Sequence, residues 1–214
     1  DDAYEESLRN ERLKEETRQL QIEEQLKNQS MQEEIEKNRK WKETAKKLFW
    51  VDSCIRSLYE EPIKDQPIED TATLQVRTSQ GLRLIKKFKS STTLYSLYVA
   101  IGCHLFLKEI KQDPTQWKTK IINEIELLSQ DASNFCFKSL ETLSDGVAIQ
   151  EIADLIKKEI DNLPKQYAEF SEIGFDFELI TPFPRDKIPK DKKIAIRDVQ
   201  QLWPKGSLLV EDII

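Results

Sequence analysis

The sequence predicts an α+β fold in which a long charged helix precedes a compact domain. The first observation is that residues 3–59 contain no proline or glycine and are rich in glutamate, lysine, arginine and glutamine. The second is a strand-like alternation of apolar and polar residues after residue 70, and the third is a return to helical spacing further on. We therefore expect a helix at 1–59, a linker at 60–70 and a domain at 71–214 that a helical insert interrupts at about 104–170.

The N-terminal helix is predicted from its charge pairs. Glutamates stand three or four residues from lysines or arginines, as in Glu5–Arg9 and Glu36–Lys40, and such pairs stabilise an exposed helix. The apolar residues do not keep the three–four alternation of a stable coiled coil. Two interpretations stay open, a weak or partner-dependent coiled coil and a single helix that acts as a spacer. Apolar residues are denser from Trp41 onward, so this end should dock on the globular part or on another subunit.

The segment after the linker has the pattern that opens a β-grasp fold. Leu74 and Val76 alternate with polar residues, residues 79–81 predict a hairpin turn, and a second strand follows. Lys86 falls on the inward side of that strand, a conflict that a β-bulge or a lysine stem reaching the sheet edge would relieve. The hydroxyls of residues 90–92 predict the N-cap of an amphipathic helix.

The elements that close this fold come much later in the chain. We predict a third strand at 175–180, a short fourth strand or extended piece at 194–196, a turn of helix at 199–203 and a final strand at 207–210. The insert between the two halves has apolar residues at helical spacing in three segments, at 117–128, 135–140 and 147–160. These helices should pack on the sheet, on the long helix or on each other.

A proline-flanked aromatic residue stands directly after the third strand, in the sequence Thr181-Pro182-Phe183-Pro184-Arg185. Two prolines remove two backbone donors and fix φ at both positions, so the segment must turn and present Phe183. The trans form before proline is favoured by only about 0.5–1 kcal/mol, and we predict a cis bond at Phe183–Pro184. The alternative is that Phe183 folds back onto its own core, as most phenylalanines do.

Composition argues against several classes of protein. The chain has 214 residues, a net charge of −6 and no apolar run long enough to span a membrane. It begins without methionine or a signal-peptide pattern, so we expect a piece of a longer protein. The cysteines Cys54, Cys103 and Cys136 lack CxxC spacing, which predicts reduced core thiols and no metal site.

Catalytic and nucleic-acid functions are not expected. The single histidine, His104, lies on an apolar helix face, and the glycines are too scattered to bind phosphate, so we predict no catalytic residue and no cofactor. Residues 71–103 contain no acidic residue but several cations: Arg77, Arg83, Lys86, Lys87 and Lys89. Because aromatic residues do not alternate with them, an acidic protein is a better partner than nucleic acid.

These segments resemble a known family. The hairpin at 74–84, the Phe183-Pro184-Arg185 tip and the ending at 207–211 look like a UBX domain, the ubiquitin-like module of cofactors of the AAA+ ATPase called Cdc48 in fungi and valosin-containing protein in animals. Residues 3–9 before the charged helix resemble the linker of the FAS-associated-factor branch. Gln80 in place of an acidic residue and the large insert depart from the family pattern.

The resemblance implies a function and a set of residues. It implies that Phe183, Pro184 and Arg185 enter a hydrophobic cleft of the ATPase N-terminal domain and that Arg77 adds polar contacts. It further implies an adaptor that recruits the ATPase to ubiquitin-dependent extraction and degradation of membrane proteins, at the cytoplasmic face of the ER or Golgi. The alternative is a scaffold subunit of a membrane ubiquitin-ligase complex, assembled through the long helix and the insert.

Overall fold

The structure is a computed structural model that describes residues 2–59, 70–79, 81–108, 113–131, 149–161 and 175–213. The chain divides into two compact units, Asp1–Thr44 and Ala45–Ile214. The predicted linker at 60–70 lies outside the described residues except for its last residue.

The predicted long helix is confirmed as α1, Asp2–Tyr59. In the first unit its surface is exposed and carries ion pairs within the helix. Arg39 reaches Glu36 at 2.7 Å and Glu43 at 2.6 Å. These pairs join residues three and four positions apart, which is the spacing that stabilises a helix in water.

The exposed apolar side chains of the first unit lie on two opposite faces of α1. These side chains form two groups, and with 3.6 residues per turn the centres of the groups lie about 170° apart around the helix axis. The first group contains Tyr4, Ile22 and Leu26, and the second contains Leu13, Leu20, Met31 and Ile35. A two-stranded coiled coil buries one continuous seam. This distribution therefore favours the spacer interpretation.

The last part of α1 packs into the globular unit, which confirms the docking predicted for this end of the helix. Leu48, Val51 and Cys54 are fully buried. Trp50 lies against Gly102, where a Cβ atom would stand 2.0 Å from the indole ring. Only glycine leaves room for this approach. Gly102 therefore allows the Trp50 ring of α1 to pack directly on the helix that contains residue 102.

The core of this unit is a four-stranded mixed sheet in the order β2-β1-β4-β3. Its strands are β1, Thr71–Thr78; β2, Arg83–Lys89; β3, Phe177–Ile180; and β4, Lys205–Asp212. The central pair β1–β4 is parallel, and the two outer pairs are antiparallel. This order confirms the predicted β-grasp fold.

The hairpin shows how the sheet accommodates Lys86. The register of β1 and β2 is continuous, so of the two alternatives the β-bulge is wrong. Lys86 stands opposite Leu74, and its Nζ atom lies 5.8 Å from the centre of the Phe88 ring. The aliphatic stem therefore covers the core while the ammonium group reaches the edge.

Helix α2, Leu94–Leu107, follows the hairpin and buries one face on the sheet. Its N-cap is Thr93, whose hydroxyl accepts a hydrogen bond from the Ser96 N–H at 3.2 Å, so the predicted cap at 90–92 is wrong. His104 is buried, and its ring meets Trp117 edge-on at 4.9 Å. The predicted packing role of this histidine is confirmed.

The insert contains α3, Pro114–Asp131, and α4, Ile149–Asp161. Asp113 accepts hydrogen bonds from the N–H groups of Thr115 and Gln116, which begins α3. The buried face of α3 confirms the prediction with Trp117, Ile121, Ile125 and Leu128. The predicted segment at 135–140 lies outside the described residues, as does Cys136. Since α2 continues to Leu107, the insert begins later than residue 104.

The closing segment differs from the prediction in one helical turn. Of the two alternatives for 194–196, the short strand is wrong and the extended piece is confirmed, since Ala195 makes a single bridge to Thr93. The helical turn is a 3-10 helix at Ile196–Asp198, before the predicted 199–203. None of the described helices is both long enough and apolar enough to cross a membrane.

Candidate functional site: a proline-flanked tip on the outer face of the sheet

The loop that follows β3 presents Phe183 to solvent. Its side chain is 91% exposed, so the alternative in which it folds into its own core is wrong. The Phe183–Pro184 peptide bond is cis, as predicted. A second cis bond, Trp203–Pro204, was not predicted. A fully exposed phenylalanine next to two prolines is an apolar anchor with no intramolecular role in packing.

Thr181 holds the loop in shape from inside. Its side chain is 1% exposed, and its hydroxyl donates to the Pro184 carbonyl at 2.6 Å and accepts from the Asp186 N–H at 3.2 Å. The backbone N–H of Thr181 donates to the Asp186 carbonyl at 2.9 Å. One buried side chain thus satisfies backbone groups on both arms of the loop. Sequence reasoning placed Thr181 in the loop but gave it no role.

The base of the loop is fixed to α2 through Tyr98. This fully buried phenol donates to the Ile188 carbonyl at 2.7 Å and accepts from the Leu179 N–H at 3.0 Å. Burial raises the pKa of the Tyr98 phenol above its ordinary value. Ile188 and Leu179 also share a backbone hydrogen bond of 2.8 Å. The tip therefore projects from a rigid, hydrogen-bonded neck.

The cation of the tip is paired within the protein. Arg185 forms an ion pair with Glu211 of β4, and Lys187 forms one with Glu178 of β3. The two glutamates are direct cross-strand neighbours. Each carboxylate thus has its own cation, which offsets the repulsion between the two acids. The Arg185 side chain remains 67% exposed, so its guanidinium is held in place and still open to a partner.

Arg77 lies on the same face of the sheet as the tip. It is exposed near the end of β1 and stands in register with Leu209 of β4, whose neighbour on β3 is Ile180. Two strand spacings place Arg77 about 10 Å from Ile180, the residue that enters the loop. The structure thus brings all four predicted site residues to one side of the domain.

A groove separates the tip from the strands. It has a volume of about 480 Å³. Phe183 and Pro182 line one side of it, and Gln75, Ile85 and Ser207 line the other. Sequence reasoning missed the groove, since Ile85 becomes its floor only through the register of β2 against β1.

The remaining chemistry of the described residues does not suggest a metal centre. Across the parts of the chain that the structure describes, no three His, Cys, Asp or Glu side chains gather to form a metal site. Cys54 and Cys103 are buried free thiols, and the neighbouring Cys103 together with burial raises the pKa of Cys54. Both act as core residues between α1 and α2.

The sheet order, the helix packed on one face and the proline-flanked tip define a ubiquitin-like β-grasp domain of the UBX type. Over 216 residues the chain is 38% identical to UBX domain-containing protein 2 of Saccharomyces cerevisiae. The alignment covers 99% of this chain and 33% of the yeast protein, so the chain spans about a third of the length of this relative. No family model matches the chain. The chain belongs to the UBX-domain proteins.

Proposed function

We propose that this protein is a non-enzymatic adaptor that docks the N-terminal domain of the Cdc48/valosin-containing-protein ATPase through the tip. The observation that carries the proposal is the 91% exposure of Phe183 on a loop that buried hydrogen bonds hold rigid. A rigid loop loses little conformational entropy when it binds. Phenylalanine and arginine side chains are both enriched at protein interfaces.

The expected affinity follows from this small contact. Burying one phenylalanine contributes about 2–3 kcal/mol, and each charge-assisted hydrogen bond from Arg185 or Arg77 about 1.5–3 kcal/mol. Association and ordering costs remove part of the sum. A dissociation constant in the micromolar range, which corresponds to about −8 kcal/mol, is the result that we expect.

A binding assay with purified ATPase N-terminal domain tests the proposal. Phe183→Ala should weaken binding about 30- to 150-fold, the equivalent of about 2–3 kcal/mol. It should leave the unfolding temperature unchanged, because the ring is exposed. Leu127→Ala is the matched control, since Leu127 is an exposed apolar residue of α3. Equal binding by the parent and Phe183→Ala would place the contact elsewhere, and no binding by the parent would refute the adaptor proposal.

The wider task that we propose is recruitment of the ATPase to ubiquitin-dependent extraction of membrane proteins, at the cytoplasmic face of an endomembrane. The support for this is the family resemblance. The alternative is a scaffold subunit of a membrane ubiquitin-ligase complex. The exposed apolar side chains of α1 do not favour it, because they lie on two opposite faces and not along the single seam that a partner helix would cover. Co-purification from membranes of cells that express the full-length protein separates the two: the ATPase would be lost with Phe183→Ala, whereas ligase subunits would not.

A further inference from the structure

The outer face of β1 and β2 carries cations around one apolar residue. Ile85 is 58% exposed, and its strand neighbours on the same face, two positions away on either side, are Arg83 and Lys87. In the next row, Lys87 and Lys205 stand on either side of Thr73. We call Arg83, Ile85, Lys87 and Lys205 the basic face.

No acidic residue occurs in the sequence of β1 or β2. The two outer-face glutamates of this domain, on β3 and β4, are already paired with Arg185 and Lys187. The positive potential of the basic face is therefore not cancelled by carboxylates within its own strands. Two strand spacings set Lys87 and Lys205 about 10 Å apart. Side chains on one face of an extended peptide recur about every 7 Å, and the flexible lysine side chains can span the difference to two carboxylates at this spacing.

The groove beside Phe183 joins the basic face to the tip. Ile85 forms part of its floor, and Lys205 stands at its rim. A segment that lies in this groove would contact the exposed ring on one side and the lysines on the other. Phosphate groups gain nothing from an apolar floor, whereas a peptide side chain does. The combination favours a protein segment over nucleic acid.

We propose that the basic face binds an acidic segment of the docking partner, with one apolar side chain over Ile85 and carboxylates on Lys87 and Lys205. This inference rests on the proposed function, since the partner is the same ATPase N-terminal domain. It adds a second, charge-based contact beside the aromatic anchor. Charges at the rim of an interface mainly speed association and make it depend on salt.

The experiment measures the dissociation constant of the ATPase N-terminal domain at two ionic strengths, about 50 and 200 mM. The double charge reversal Lys87→Glu and Lys205→Glu should weaken binding about tenfold at low salt and flatten the salt dependence. The control is Lys157→Glu and Lys158→Glu, a reversal of the same size at exposed lysines of α4. It should bind within about twofold of the parent.

Three further outcomes separate the explanations. Ile85→Ser should weaken binding about three- to tenfold and keep the salt dependence of the parent, because it removes apolar contact only. If Phe183→Ala abolishes binding but the Lys87 and Lys205 reversal changes nothing, the basic face is not a contact and the docking proposal stands. If the parent does not bind at all, both proposals fail. A duplex oligonucleotide that binds the parent more tightly than the N-terminal domain does would also overturn the acidic-protein assignment.

Discussion

Replacing Gly102 by alanine should destabilise the globular unit, against the usual preference of helices for alanine. The new methyl carbon would stand 2.0 Å from one ring carbon of Trp50 and 2.4 Å from a second. Carbon atoms in contact prefer separations of about 3.5–4.0 Å, so the ring would have to move by about 1.5 Å. Trp50 is 7% exposed and stacks on Phe106 at 6.4 Å. A cavity of about 370 Å³ borders both Trp50 and Gly102, so a shift of the ring can relieve part of the clash.

The size of the effect is a difference between two terms. Overpacking of this kind costs about 1–3 kcal/mol. Alanine in place of glycine inside a helix contributes about 1 kcal/mol of stability. Because the rings of Phe49, Phe106 and Phe175 contact Trp50 and limit this shift, we place the overpacking term at the upper end of its range. The net loss should be about 1–2 kcal/mol.

Urea unfolding followed by tryptophan fluorescence measures this loss, and thermal unfolding should show a lower midpoint by about 2–8 °C. Ala100→Gly in the same helix measures the propensity term separately. The double variant Gly102→Ala with Trp50→Leu should lose less stability than the sum of the losses in the two single variants, since the smaller side chain leaves room for the methyl group. A stabilised Gly102→Ala protein would refute the close packing of α1 on α2.

Other predictions concern the neck of the tip, its ion pairs and the long helix. Tyr98→Phe should lower stability by about 2–3 kcal/mol, because two buried backbone groups lose their partner. Because the pKa of the Tyr98 phenol is raised in the folded state, the hydroxyl stabilises the fold fully below pH 10.0 and less at higher pH. The free energy of unfolding in urea should therefore fall less between pH 8 and pH 10.5 in Tyr98→Phe than in the parent. Glu211→Gln and Glu178→Gln should each lower stability by less than about 1 kcal/mol, because their cations are exposed, and unfolding at high salt should remove most of that difference. Leu20→Glu should leave the mass of the protein in light scattering at that of a monomer, as in the parent; a parent dimer that this change dissociates would support the coiled coil instead.

Much of the fold could be predicted because local patterns specify it. The alternation of Leu74 and Val76 with polar residues predicts β1, and the absence of proline and glycine predicts α1, both of which are present. The proline-flanked phenylalanine predicts an exposed tip from the chemistry of three consecutive residues. Each of these signals lies within a few residues of the element that it predicts, so no knowledge of tertiary packing is needed.

The missed features depend on contacts between distant residues. The predicted N-cap at 90–92 is wrong because the backbone of Ser90, directly after β2, is bonded to distant segments: its N–H donates to the Asp70 carbonyl and its own carbonyl accepts from the Arg197 N–H. The chain turns into α2 only at Thr93. Likewise, the pairing of Arg185 with Glu211 joins residues 26 positions apart and follows from the register of β3 on β4. Neither contact is visible in a local pattern.

The parallel pairing of β1 with β4 also determines when this domain can fold during synthesis. About 130 residues of chain separate the two central strands. At a translation rate of about 5–20 residues per second, β4 is synthesised roughly 6–26 s after β1. During this time one edge of the nascent hairpin is open to other strands, a recognised route to aggregation. We therefore expect chaperones to engage the nascent chain while the insert is being translated, and a stop codon before β4 to yield an insoluble product.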